Sequence, residues 1–163
     1  MSALDVRPTG QQLVDLARKH IGERYVFGAI APKFDPGYKG PWDCAELIAW
    51  VIYQAAGILY GCSTSDVENL AEADAYTGYF ARDCLQRGTG ITPGEAASFP
   101  GSVVLRIPKP GKRGHVVLSD GFGRTIEAHS TKLGVIESKL AGREWDVGIL
   151  IPGIEYEQAK ERK

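Results

Sequence analysis

The sequence carries no surplus of charge of either sign: 19 basic residues stand against 20 acidic ones, for a net charge of −1. It therefore lacks the global positive field that would draw DNA, RNA or anionic lipid. Cysteine is scarce and odd in number, with only Cys44, Cys62 and Cys84. Three cysteines exclude a complete disulfide framework and suit a reducing compartment or a free reactive thiol. No run of about 18 apolar residues is present to span a bilayer. The N-terminal stretch MSALDVRPTGQQ lacks the apolar core and basic flank of a signal peptide, and Met1 argues against a leader having been removed. Histidine is limited to His20, His115 and His129. No two of them sit at ligand spacing within a helix and the cysteines are far apart, so neither a metal nor another cofactor is expected. Internal repeats and low-complexity stretches are absent as well.

What remains is an ordinary globular composition, 44% hydrophobic and 24% charged over 163 residues, enough for one domain spanning 1–163 with a substantial core. Leu13, Leu16 and Ala17 recur at helical spacing and predict a helix from Thr9 to His20, ended by Gly22. Residues 28–43 are punctuated by glycine and proline and read as a loop. From Cys44 to Ala56 the positions Cys44, Leu47, Ile48, Val51, Ile52 and Ala55 trace a buried helix face, with Gly57 as the stop. Asp43 is placed as its N-cap, and Glu46 three residues on predicts a reciprocal capping box.

Residues 64–87 read as polar and helical, with a break near Thr77-Gly78, and 88–101 as a loop. The period then changes. Ser102–Ile107, His115–Asp120, Arg124–Ser130 and Asp146–Ile151 are short, rich in valine and isoleucine, and bounded by turn residues, which predicts an antiparallel sheet. Gly121-Phe122-Gly123 joins the middle pair as a hairpin. Helices followed by strands imply an α+β fold, with N-terminal helices packed on the sheet. The charged tail GIEYEQAKERK is expected to fray.

A cysteine on the first turn of a helix is stabilised as thiolate by the helix dipole and unpaired N–H groups. Cys44 occupies that position, although Asp43 beside it opposes the effect, so a cationic partner is needed. His115, at the start of a strand, is the candidate base. Glu127 and His129 lie two residues apart on the partner strand, and either can share a face with His115 and orient its ring. Taken singly, Cys44 reads as a core thiol, His115 as a strand-end histidine, Glu127 as a solvated strand residue, and Asp43 and Glu46 as caps. The combination is what points to nucleophilic catalysis.

Five segments carry a family resemblance: GERYVFG (Gly22 to Gly28), WDCAELIAWV (Trp42 to Val51), FPGSVVL (Phe99 to Leu105), GHVVLSDGFGRTIEAHS (Gly114 to Ser130) and WDVGILIPG (Trp145 to Gly153). With them the chain resembles the NlpC-type cell-wall peptidases, a branch of the papain-like cysteine peptidases. The resemblance implies a papain-like fold, Cys44 as nucleophile, His115 as base, Tyr25 lining the cleft, and Asp43 facing the substrate amine. The family's third polar residue falls at Glu127 by position, while His129 matches the usual residue type.

Two departures stand out. Ala45-Glu46 replaces the Ser-Gly common after the nucleophile, which removes a hydroxyl expected near the substrate amine. The interval of 71 positions between Cys44 and His115 is longer than in compact relatives, and the excess is assigned to an insertion at 64–94. The implied substrate is the peptidoglycan stem peptide, reached after lysis, injection or non-classical export from the cytoplasm. A delivery apparatus, and for an injected toxin an immunity protein, are the further partners this implies. The rival readings are a papain-like acyltransferase or amidase on a non-wall substrate, and a decayed binding module.

Overall fold

The computed structural model describes residues 6–160. Its helices are α1 (Gly10–Arg18), α2 (Cys44–Ala56), α3 (Thr77–Gln86) and α4 (Pro93–Ala96), and its strands are β1 (Thr89–Ile91), β2 (Val103–Arg106), β3 (His115–Ser119), β4 (Arg124–Ser130), β5 (Gly134–Lys139) and β6 (Val147–Leu150). All six strands pair antiparallel in the order β1-β6-β2-β3-β4-β5. The α+β architecture anticipated from the sequence is the one observed, with α1 and α2 laid on one face of the sheet. No helix among the described residues is long and apolar enough to cross a membrane.

The alternation of side chains along β3 and β4 divides the interior in two. Val116, Leu118, Ile126 and Ala128 face the main core beneath α2, with Leu47, Ile48, Val51 and Ile52. Val117 faces a second, smaller cluster with Ala96, Val104 and Leu140. Helix α2 is buried along Ala45 to Ile52, and each of its fully buried aliphatic side chains contributes about 1.5–3 kcal/mol relative to exposure. It ends at Gly57, whose φ of 68° is the left-handed conformation that glycine adopts without a Cβ penalty.

Several sequence expectations are corrected. The stretch 64–76 is not an α-helix, and holds only a 3₁₀ turn at Leu70–Glu72. Thr64 and Asp66 side chains accept hydrogen bonds from the backbone N–H groups of Asp66 and Glu68, local bonds that compete with helical ones. Thr77-Gly78 is a helix start rather than a break. The 88–101 segment is not all loop: β1 pairs with the distant β6, and α4 is held by a Thr92–Glu95 capping box with Pro93 in its first turn. Strand β5 was not anticipated, and it owes its position to an edge pairing with β4.

The tail is tied down as far as it is described. Glu155 N–H donates to Pro8 O and Ala159 N–H to Ser98 O. The last three residues of the expected frayed tail lie outside the described residues.

Candidate active site

Cys44 is the first residue of α2 and lies partly buried in an open cavity of about 680 Å³. The chain ahead of it is clamped by a two-way exchange, Trp42 N–H to Arg24 O and Val26 N–H to Trp42 O, both 3.0 Å. This pairing brings Tyr25 alongside the N-terminal end of α2. Behind it, His20 sits edge-on to Trp42 and Trp50 and hydrogen-bonds Glu23, which also accepts from Trp42 Nε1. His20 thus serves the packing of the loop rather than the cavity.

Asp43 caps α2 by accepting the Glu46 N–H at 2.8 Å. The expected reciprocal half of the capping box is not made. The Glu46 carboxylate turns instead to the ammonium of Lys33 and to the Ala75 N–H, 3.2 Å away. Lys33 and Glu46 are each 1% exposed, and a buried carboxylate takes a cation in preference to a second cap bond because an unpaired charge there is costly. Glu46, at the position of the missing family glycine, therefore ties α2 to the 28–43 loop and to the 73–77 segment.

The expected lowering of the Cys44 pKa is also corrected. Burial, and next the neighbouring Asp43 charge, push the thiol up to about 11, against the opposing N–H groups of Val116, Ala45 and Cys44 itself. Removing a thiolate from water outweighs the helix-terminus effect. The same two elements act on Tyr25, whose hydroxyl is raised first by burial and then by the Cys44 and Asp43 charges, so it stays a proton donor. Burial also raises Asp43.

His115 opens β3, and its Nε2 lies 3.0 Å from Glu127 Oε1. Ser119 pairs opposite Thr125, and the two-residue period carries His115 and Glu127 to one face of the sheet, while His129 sits at the irregularity between Ala128 and Ser130. Glu127 is fully buried. Burial would raise its pKa, yet hydrogen bonds from Arg143, His115 and Thr125 overcome this and hold it at about 2. The Arg143 guanidinium reaches both carboxylate oxygens, at 2.7 and 2.9 Å, in the two-pronged geometry that makes such pairs strong. An ionised carboxylate can only accept. The neutral His115 ring therefore carries its proton on Nε2 and leaves the Nδ1 lone pair free of Glu127.

Arg143 and Trp145 complete this side. Trp145 stacks on His115 with ring centroids 6.1 Å apart, and the Arg143 guanidinium lies 4.8 Å over the Trp145 ring. Neither was singled out from the sequence as a site residue. An isolated arginine in the turn between β5 and β6 has no local signal, and only the folding of that turn over β4 brings it to Glu127.

His129 lines the cavity with His115, their rings 6.2 Å apart and edge-on, and its buried Nδ1 has no hydrogen-bond partner among the described residues. Of the two candidates for orienting the base, Glu127 is thus the one in hydrogen-bond contact with it. Cys44, His115, Tyr25, Asp43 and His129 all line one cavity, with Glu127 behind His115. Cys62 and Cys84 lie outside its lining. Among the described residues no group of His, Cys, Asp and Glu is arranged to hold a metal ion.

No family model and no curated protein matches the sequence. Solved structures do. The NlpC/p60 domain of the peptidoglycan hydrolase SagA aligns at 22% identity and a TM-score of 0.64, over 88% of this chain and 99% of that one. NlpC1 from Trichomonas vaginalis aligns at 17% and 0.61, over 95% of this chain and 47% of its own. The peptidoglycan hydrolase RipB from Mycobacterium tuberculosis aligns at 20% and 0.61, over 90% and 65%. The chain thus spans about half the length of NlpC1 and nearly all of the SagA domain. The helices laid on a six-stranded antiparallel sheet thus have the NlpC/p60 fold.

Proposed function

We propose that the chain is a cysteine hydrolase that cuts amide bonds in peptidoglycan stem peptides, and that residues 1–163 form one catalytic domain. The observation that carries this reading is the His115–Glu127 hydrogen bond, which fixes the ring so that Nδ1 is the available base in a cavity shared with Cys44. The names of the SagA and RipB structures, both peptidoglycan hydrolases, support the substrate class.

The raised thiol favours a general-base path over a preformed thiolate. His115 Nδ1 takes the Cys44 Sγ proton as the sulfur attacks the amide carbonyl. The backbone N–H of Cys44 and the Tyr25 hydroxyl hold the oxyanion. His115 returns the proton to the leaving amine, the C–N bond breaks, and a thioester remains. Water, deprotonated by the same nitrogen, then releases the acid and regenerates the thiol. Glu127 keeps the ring oriented and stabilises the imidazolium formed in each half-reaction. Asp43 faces the free amine of the bound peptide, and the scissile bond joins D-glutamate to a diamino acid. Synthesis in the cytoplasm with action on the wall after lysis, injection or non-classical export completes the proposal.

The test is mass spectrometry of stem peptides and disaccharide muropeptides incubated with the wild type and with Cys44→Ala. Cysteine-dependent cleavage establishes the hydrolase and names the bond. A folded wild type that cleaves none of them overturns the reading in favour of acyl transfer or a binding module.

A further inference from the structure

The cavity lining carries charge of both signs. Its acidic residues are Asp43, which caps α2, Glu46, which is paired with Lys33, and Asp74; its basic residues Arg106, Lys109, Lys112 and Arg113 all belong to β2 or to the segment that runs into His115. The two lysines are matched within the protein, Lys109 by Asp146 at 3.0 Å and Lys112 by Glu144. Arg106 and Arg113 have no acidic partner among the described residues. Arg106 is held in place by Nε donating to Arg113 O at 3.2 Å. The Arg113 guanidinium lies 4.3 Å over the ring of Phe27, itself 66% exposed at the cavity mouth. Stacking occupies the face of a guanidinium and leaves its in-plane N–H donors open, the edge that grips a carboxylate.

The position of this cationic rim identifies what it meets. A base histidine protonates the departing amine, so the residue released by cleavage lies against the segment adjoining His115. A carboxylate on that residue would be drawn to Arg106 and Arg113 and kept away from Asp43 and Asp74, which fixes the direction in which a peptide enters the cleft. We propose that Arg106 and Arg113 form a subsite for a free carboxylate on the leaving residue, so that the preferred substrates are peptides in which that carboxylate is neither amidated nor esterified. This rests on the hydrolase reading above.

The experiment compares two synthetic stem peptides that differ only in whether the leaving residue bears a free or an amidated carboxylate. Specificity constants are measured for the wild type and for Arg106→Gln, Arg113→Gln and their combination. The wild type is expected to prefer the free acid by about tenfold or more, the scale of one or two charge-assisted hydrogen bonds. The preference should shrink in each single variant and approach unity in the double, mainly through KM, with Arg113→Lys recovering part of it. Because the readout is a ratio within each variant, loss of folded protein does not mimic it. Equal cleavage of both peptides by the wild type, or a ratio unmoved by the substitutions, overturns the subsite while leaving the hydrolase standing. Failure of the wild type to cleave either peptide overturns the hydrolase reading and the subsite with it.

Discussion

The two halves of the site are built on opposite electrostatic terms. On the sheet, His115 is fully organised: Glu127 bonds its ring, Arg143 and Thr125 bond Glu127, and Trp145 stacks on the imidazole. The buried Glu127 charge is matched by Arg143. On the helix, Cys44 sits beside an acidic cap and partly out of water, and its thiol is pushed up to about 11. On the proposed hydrolase mechanism, reactivity is then not stored in Cys44 at rest but is supplied when substrate fills the cleft and His115 takes the proton, so positioning groups distant from the sulfur should matter more than groups beside it.

The largest effect that would break this comparison is loss of either reacting group. Cys44→Ala and His115→Ala should each lower kcat by about 10⁴-fold or more, read by single-turnover product formation. Next comes the clamp. Arg143→Ala leaves the buried Glu127 charge without its cation and should cost about 3–5 kcal/mol of stability by denaturant unfolding, with kcat falling as the His115 ring loosens. Glu127→Gln keeps an oxygen toward His115 and should retain more activity than Glu127→Ala.

The pH dependence of folding follows from the same clamp. The Glu127 pKa is lowered from 4.5 to about 2 in the folded state. A depressed carboxylate contributes its stability fully above the unfolded value and loses it as pH falls through the folded one. Between pH 4.5 and 2 roughly 3 kcal/mol should disappear, and thermal melts of Glu127→Gln should be flatter over that window. The smallest effect sharpens the other half. Alkylation of Cys44 in the free protein should be slow at neutral pH and accelerate toward pH 11. Asp43→Asn, which can still cap the helix, should speed alkylation several-fold at pH 8 by removing the second cause of the raised pKa.

How much of this was legible in the chain differs by element. The period of Leu47, Ile48, Val51 and Ile52 defined α2 and its Cys44 start, and the valine-rich runs before and after Gly121-Phe122-Gly123 defined the central hairpin. Both are local patterns, set by 3.6- and 2-residue spacing. The same period-two logic left Glu127 and His129 equally eligible beside His115. Their separation came from Arg143, which arrives from the turn after β5 and neutralises one position and not the other. The capping box at Asp43 and Glu46 was a sound local reading that a distant Lys33 overrode, because burial made an ion pair the stronger demand.

By itself the sequence determined the α+β class, the helix that carries Cys44, the strand that carries His115 and the order in which they occur, since each depends on neighbours within a few residues. Only the tertiary structure decided which carboxylate meets His115, that the Cys44 thiol is raised rather than lowered, that Glu46 pairs with Lys33, and that two arginines face the cleft without acidic partners among the described residues. Those outcomes depend on burial and on charges brought together from far along the chain, and neither is encoded in any local window.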